Sequence, residues 1–119
     1  MMTKTEAVEY MTDIMAKFVG YSGKVLPDDV TEKLKELRAL ETGELPKTIY
    51  DTMFRNQELA VLLDRPCCQD TGVLQYLVKC GTRFPLIDFV ETLLKEATVR
   101  ATFDAPLRHN SVETFDEYN

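Results

Sequence analysis

The 119-residue sequence predicts a helix-rich α+β fold of about four helices, with a short strand following a cysteine-bearing loop. Three observations carry this. Apolar residues recur at helical spacing through three stretches of the first 63 residues. Pro66 interrupts the third stretch, because it lacks a backbone N–H and its ring clashes with the preceding turn. Val73–Cys80 then alternates with a period of two, as a strand with one buried face does.

Residues 4–19 read as the first helix, with Val8, Met11, Met15 and Phe18 as its stripe and Ala7 and Ile14 widening it. Gly20 and the run Tyr21-Ser22-Gly23 are expected to break it. A second helix follows Pro27, with Asp28 and Asp29 beside the positive end of its dipole and Val30, Leu34, Leu37 and Leu40 as its apolar face. Gly43 is a plausible stop. A third helix runs from residue 45 or 46 to Leu63. Ile49, Met53, Ala60 and Leu63 make one row and Tyr50, Phe54 and Val61 another, which places this helix at the expected centre of the molecule. In the strand, Leu74, Tyr76, Val78 and Cys80 share one face and Gln75 and Lys79 the other. A fourth helix spans about residues 86–101, with Val90, Leu93, Leu94, Ala97 and Ala101 inward. Beyond it there is no periodicity. A lone strand leaves its backbone groups without partners, so a second strand near Thr102–Phe103, or a partner outside these segments, is expected.

The length fits one domain, residues 1–119. With 20 acidic and 14 basic residues the net charge is −6, which argues against nucleic acid and anionic membrane as partners, both being polyanions. No apolar run approaches the ~20 residues that span a bilayer, and the N-terminus lacks a signal-peptide core, so a cytoplasmic location is expected. Three cysteines, two of them adjacent, do not make a disulfide framework.

The chemistry is concentrated in Arg65-Pro66-Cys67-Cys68-Gln69-Asp70-Thr71-Gly72, between a helix end and a strand start. A thiol, an amide, a carboxylate and a hydroxyl stand side by side before a glycine, on a loop held by rigid elements. The bland alternative is a polar turn, since turns favour Asp, Thr and Gly. A tetrahedral zinc site is disfavoured: Cys67, Cys68, Cys80 and His109 contain no C-x-x-C pair, and adjacent cysteines rarely reach one ion together. Cys80, on the apolar face of the strand, reads as a small buried hydrophobe. Asp70-Thr71-Gly72 spells the tripeptide of aspartic proteases, but those enzymes are built from strands, unlike residues 4–63. A second cluster is Pro106-Leu107-Arg108-His109-Asn110. There Arg108 is either one half of a surface ion pair or a bidentate clamp on a substrate carboxylate, and the lone His109 is a structural residue or a proton carrier.

Together the two clusters resemble the iron–sulfur hydro-lyases of the class I fumarase and L-tartrate dehydratase α-subunit family, whose R-P-x-C-Q-D-T-G stretch is similar to residues 65–72. Lys79-Cys80-Gly81-Thr82-Arg83-Phe84-Pro85-Leu86 and residues 105–117 resemble the same family in matching order, as do Asp28-Asp29-Val30 and residues 49–54. The His109 form of the last motif leans toward tartrate dehydratase. The resemblance implies a lyase removing water from a C4 hydroxy-dicarboxylate, L-tartrate or malate. It implies a [4Fe–4S] cluster held by three cysteines, of which Cys68 is the first and two lie outside this sequence, neither Cys67 nor Cys80 occupying those positions. It implies substrate contacts from Gln69, Asp70 (a possible catalytic group) and Arg108, and a β-subunit or C-terminal domain as partner in an oligomer. On this resemblance the chain corresponds to an N-terminal portion of a larger α/β catalytic domain, inactive alone. The rival from another class is a noncatalytic helical interaction module.

Overall fold

The first helix starts where Thr3 and Glu6 cap each other. The Glu6 backbone N–H donates to Thr3 Oγ1 at 3.2 Å, and the Thr3 N–H donates to Glu6 Oε2 at 2.7 Å, satisfying two donors that a helix start leaves open. In the computed structural model, which describes residues 2–68 and 72–108, four helices follow in order. They are α1 (Lys4–Lys24), α2 (Asp28–Leu40), α3 (Glu44–Leu63) and α4 (Val90–Asp104), the last entered through a 3-10 turn at Ile87–Phe89. No helix is long and apolar enough to cross a membrane among the described residues.

The core is the seam between α1 and α4. Ala16 and Val19 meet Ala97 and Ala101, with Met15, Tyr76 and Leu107 packed around them. Ala97 is 0% exposed, and small residues on both sides let the two backbones approach closely. Burying a Val or Leu side chain contributes about 1.5–3 kcal/mol, so Val19 and the buried Leu93 matter more here than any surface ion pair. Thr12 is buried too, its hydroxyl satisfied by the Val8 carbonyl at 2.9 Å. At the edge of the seam Arg100 grips Glu9 with two parallel hydrogen bonds of 2.5 and 2.9 Å and also holds Glu96. The α2–α3 pair is joined chiefly at its surface, by Arg38 clamped on Asp51 at 2.9 and 3.1 Å.

Several expectations are corrected. The helix does not break at Gly20: α1 continues to Lys24 because Gly20 lies buried against α4's end, where an added Cβ would stand 3.2 Å from the Ala105 Cβ. Close packing there outweighs glycine's poor helix propensity. The buried face of α1 is Thr12, Ala16, Val19 and Gly20, turned from the expected stripe, and Phe18 and Ile14 face solvent, Phe18 at 60% exposure. The third helix is not central either: only Ala60 of α3 is buried, and Ile49, Met53, Val61 and Leu63 are exposed. The fourth continues to Asp104, so Thr102–Phe103 is helical.

The strand is the largest correction. No strand occurs among the described residues, which are helical rather than α+β. Residues 73–80 form no ladder, because no second strand among the described residues takes up their N–H and C=O groups. Their alternation survives in one residue. Tyr76 turns inward onto the α1–α4 core and its hydroxyl pairs with Thr98 Oγ1 at 2.8 Å, while Leu77 is wholly exposed.

Candidate functional site

The cysteine loop begins at the end of α3, and the helix end is built by backbone geometry. Asp64 takes a left-handed conformation (φ 54°). The Arg65 N–H donates to the Ala60 carbonyl at 2.9 Å and the Asp64 N–H to Val61 at 3.4 Å, a Schellman closure that ends the helix at Leu63. Pro66 follows and forbids resumption. The Lys24 ammonium at the end of α1 bonds the Asp64 carboxylate, and this hydrogen bond, with the lysine's charge behind it, holds the Asp64 carboxyl below the usual carboxylate range.

Cys67 is then tied on both sides. Its N–H donates to the Gly23 carbonyl at 3.0 Å, and its own carbonyl accepts from Asn56 Nδ2 at 2.5 Å. The loop is thus stretched between the last turn of α1 and the middle of α3. Cys67 is half-buried; Cys68, one residue on, is exposed. Gln69, Asp70 and Thr71 lie outside the described residues, as does His109. Past them Gly72 again has positive φ, 70°, in open surroundings, so glycine suits that position for its backbone and not for lack of room.

The second cluster reaches the same place. Beyond α4 the Leu107 N–H donates to the Thr102 carbonyl at 3.0 Å, and the Leu107 side chain packs on the core so closely that a Cβ on Gly23 would stand 3.0 Å from its Cδ2. Gly23 therefore meets Cys67 through its carbonyl and Leu107 across its bare Cα. The neighbours of those two residues are Cys68 and Arg108, both exposed. Forty residues apart in sequence, the two clusters come to one end of α1.

Cys80 is exposed and not the buried hydrophobe expected, because the segment that carries it lies on no sheet. All three cysteines are free thiols. No group of three or more His, Cys, Asp and Glu side chains capable of holding a metal ion stands together among the described residues. An exposed, unbridged Cys68 fits one corner of an iron–sulfur cluster, not a full ligand set. Gly23 and Asn56, which carry the loop, escaped sequence reasoning. No local pattern marks an asparagine eleven residues before the loop it holds.

The profile of the fumarate hydratase (fumerase) family matches residues 12–119. This chain belongs to that family. Over 116 residues, 98% of the chain, it is 49% identical to the L(+)-tartrate dehydratase subunit alpha of Escherichia coli O157:H7, and equally to that of strain K12. It is 28% identical, over 92% of the chain, to a putative L(+)-tartrate dehydratase subunit alpha of Methanocaldococcus jannaschii. The chain spans about 38–39% of the length of these relatives. Hydro-lyases of this kind are what the resemblance of residues 65–72 and 105–117 leads one to expect.

Proposed function

We propose that this chain forms part of an iron–sulfur hydro-lyase that takes L-tartrate to oxaloacetate, its partner being a β-subunit. The observation that supports it best is the convergence at Gly23, which gathers a thiol-bearing loop and an arginine-bearing segment at one helix end. The names of the relatives point to the substrate and to a multi-subunit enzyme.

In this reading Cys68 supplies one thiolate to a [4Fe–4S] cluster, the other two cysteine ligands lying outside this sequence. When bound, the cluster offers an iron that acts as a Lewis acid toward the departing hydroxyl. Arg108 grips a substrate carboxylate, for which its planar fork is suited. Gln69 and Asp70 contact the dicarboxylate, and Asp70 is the candidate catalytic group of this chain. Loss of water from tartrate leaves an enol that becomes oxaloacetate, so atoms balance without an oxidant. Further substrate contacts, and a base for the carbon-bound proton, come from the partner. The second reading, interconversion of malate and fumarate, is favoured by the family profile.

The test is anaerobic assay of the complete enzyme containing this chain and its β-subunit, after reconstitution with iron and sulfide. Formation of oxaloacetate from L-tartrate, faster than of fumarate from malate, is expected. The reverse order supports the second reading. No dehydration of either substrate, with both subunits folded and associated, would leave the noncatalytic interaction module.

A further inference from the structure

We propose that Asn56 is a positioning residue for the Cys68 thiol, acting through the Cys67–Cys68 peptide. This rests on the reading of Cys68 as a cluster ligand. The peptide unit is planar and nearly rigid, so holding its carbonyl oxygen fixes the orientation of the whole plane. Asn56 Nδ2 donates to the carbonyl of Cys67, while the N–H of the same residue is held by Gly23. With the planes on both sides of the Cys67 Cα fixed by two different helices, the position and entry direction of the Cys68 backbone are set. Only the rotation at Cys68 itself remains to aim the sulfur.

The choice of residue fits the task. Asn56 is exposed on α3, where Ala, Lys or Glu would serve the helix better. An asparagine amide commonly bonds nearby backbone in competition with the helix. Here it reaches across eleven residues to the loop instead. Among the residues that tie this loop, Asn56 is the one that acts through a side-chain donor on the carbonyl adjoining Cys68; Gly23 acts through its backbone, and the Lys24–Asp64 pair lies three residues earlier.

Two variants test this in the complete enzyme with its β-subunit. Asn56→Asp keeps the size but removes the donor, and Asn56→Ala removes the donor while favouring the helix. In the cluster-free enzyme, alkylation of Cys67 by iodoacetamide, followed by mass spectrometry, is expected to rise about fivefold in both variants, since one lost hydrogen bond frees the loop by that factor. Far-UV helicity is expected to stay at the parent level. After reconstitution, iron content falls and the electron paramagnetic resonance line shape of the reduced cluster changes, a signature that a merely structural role would not move. Parent-like alkylation rates together with a parent-like line shape would overturn the proposal. The functional reading fails separately: if Cys68→Ala retains the parent's iron and spectrum, Cys68 is no ligand, whatever Asn56 does to the alkylation of Cys67.

Discussion

At the scale of single residues, the adjacent cysteines are told apart by where the loop ties fall. Both hydrogen bonds seize Cys67, which leaves it half-buried, and Cys68 projects beyond them. Adjacent residues leaving a turn point in different directions, so an iron of the proposed cluster would be reached by one of them. In the complete enzyme Cys68→Ala is expected to lose the cluster's visible absorption along with activity. Cys67→Ala is expected to keep both, with a stability cost of about 1 kcal/mol for a small truncation. Absorption spectra of the two variants decide; the opposite pattern would shift the ligand by one position. The loop that carries Cys68 was legible because the Cys-Gln-Asp-Thr-Gly run is local. Asn56 was not, since its partner is chosen by how α3 lies against the loop.

At the scale of elements, the α1–α4 seam invites two predictions. Gly20 is buried with Ala105 close by, so Gly20→Val crowds the seam and is expected to cost about 1–3 kcal/mol in urea unfolding, as overpacking does. Gly23→Ala meets only the flexible end of Leu107 and is expected to cost less. Equal losses from the two would contradict this account of the seam. The second prediction concerns pH. Arg100 holds the Glu9 carboxyl below its ordinary value through hydrogen bonds, and Arg38 does the same to Asp51. A carboxyl depressed in the folded state stabilises fully above its unfolded pKa, about 3.9–4.3, and that contribution is lost as pH falls through the lower folded value. The melting temperature is therefore expected to hold from neutral pH to about 5 and decline below about 4. Glu9→Gln should make that acid limb shallower, and added salt should blunt it, both pairs being exposed. A limb unchanged by Glu9→Gln would remove this pair from the acid response.

At the scale of the whole molecule, the chain is open. Its radius of gyration is 18.4 Å, against about 13.5 Å for a compact chain of this length. Its surface is 9470 Å², where a compact monomer of this mass shows about 6,600 Å². Large apolar side chains stand exposed on it: Tyr10, Phe18 and Tyr21 on α1, and Leu45, Ile49 and Leu62 on α3. Apolar surface this extensive is ordinarily covered by another protein segment. Purified apart from the β-subunit proposed as its partner, the chain is expected to bind a hydrophobic dye strongly. Dye fluorescence should then fall as the complete enzyme is assembled, and equal fluorescence before and after would place the exposed faces outside the interface.

The features that could be read along the chain were local ones. Four helices followed from apolar spacing, the end of α3 from the loop after Leu63, and the family from contiguous motifs at residues 65–72 and 105–117. Each depends on residues within a few positions of one another. Tertiary structure alone decided which faces are buried. Phe18, Ile49 and Leu63 are as apolar as Val19 or Leu93, and periodicity cannot say which stripe finds a partner when several are available. It also decided that residues 73–80 make no sheet, because a strand is a property of two segments and the described residues offer no second one. And it decided that Cys67 and Leu107 meet at Gly23, a contact between places that are distant along the chain and that no spacing rule connects.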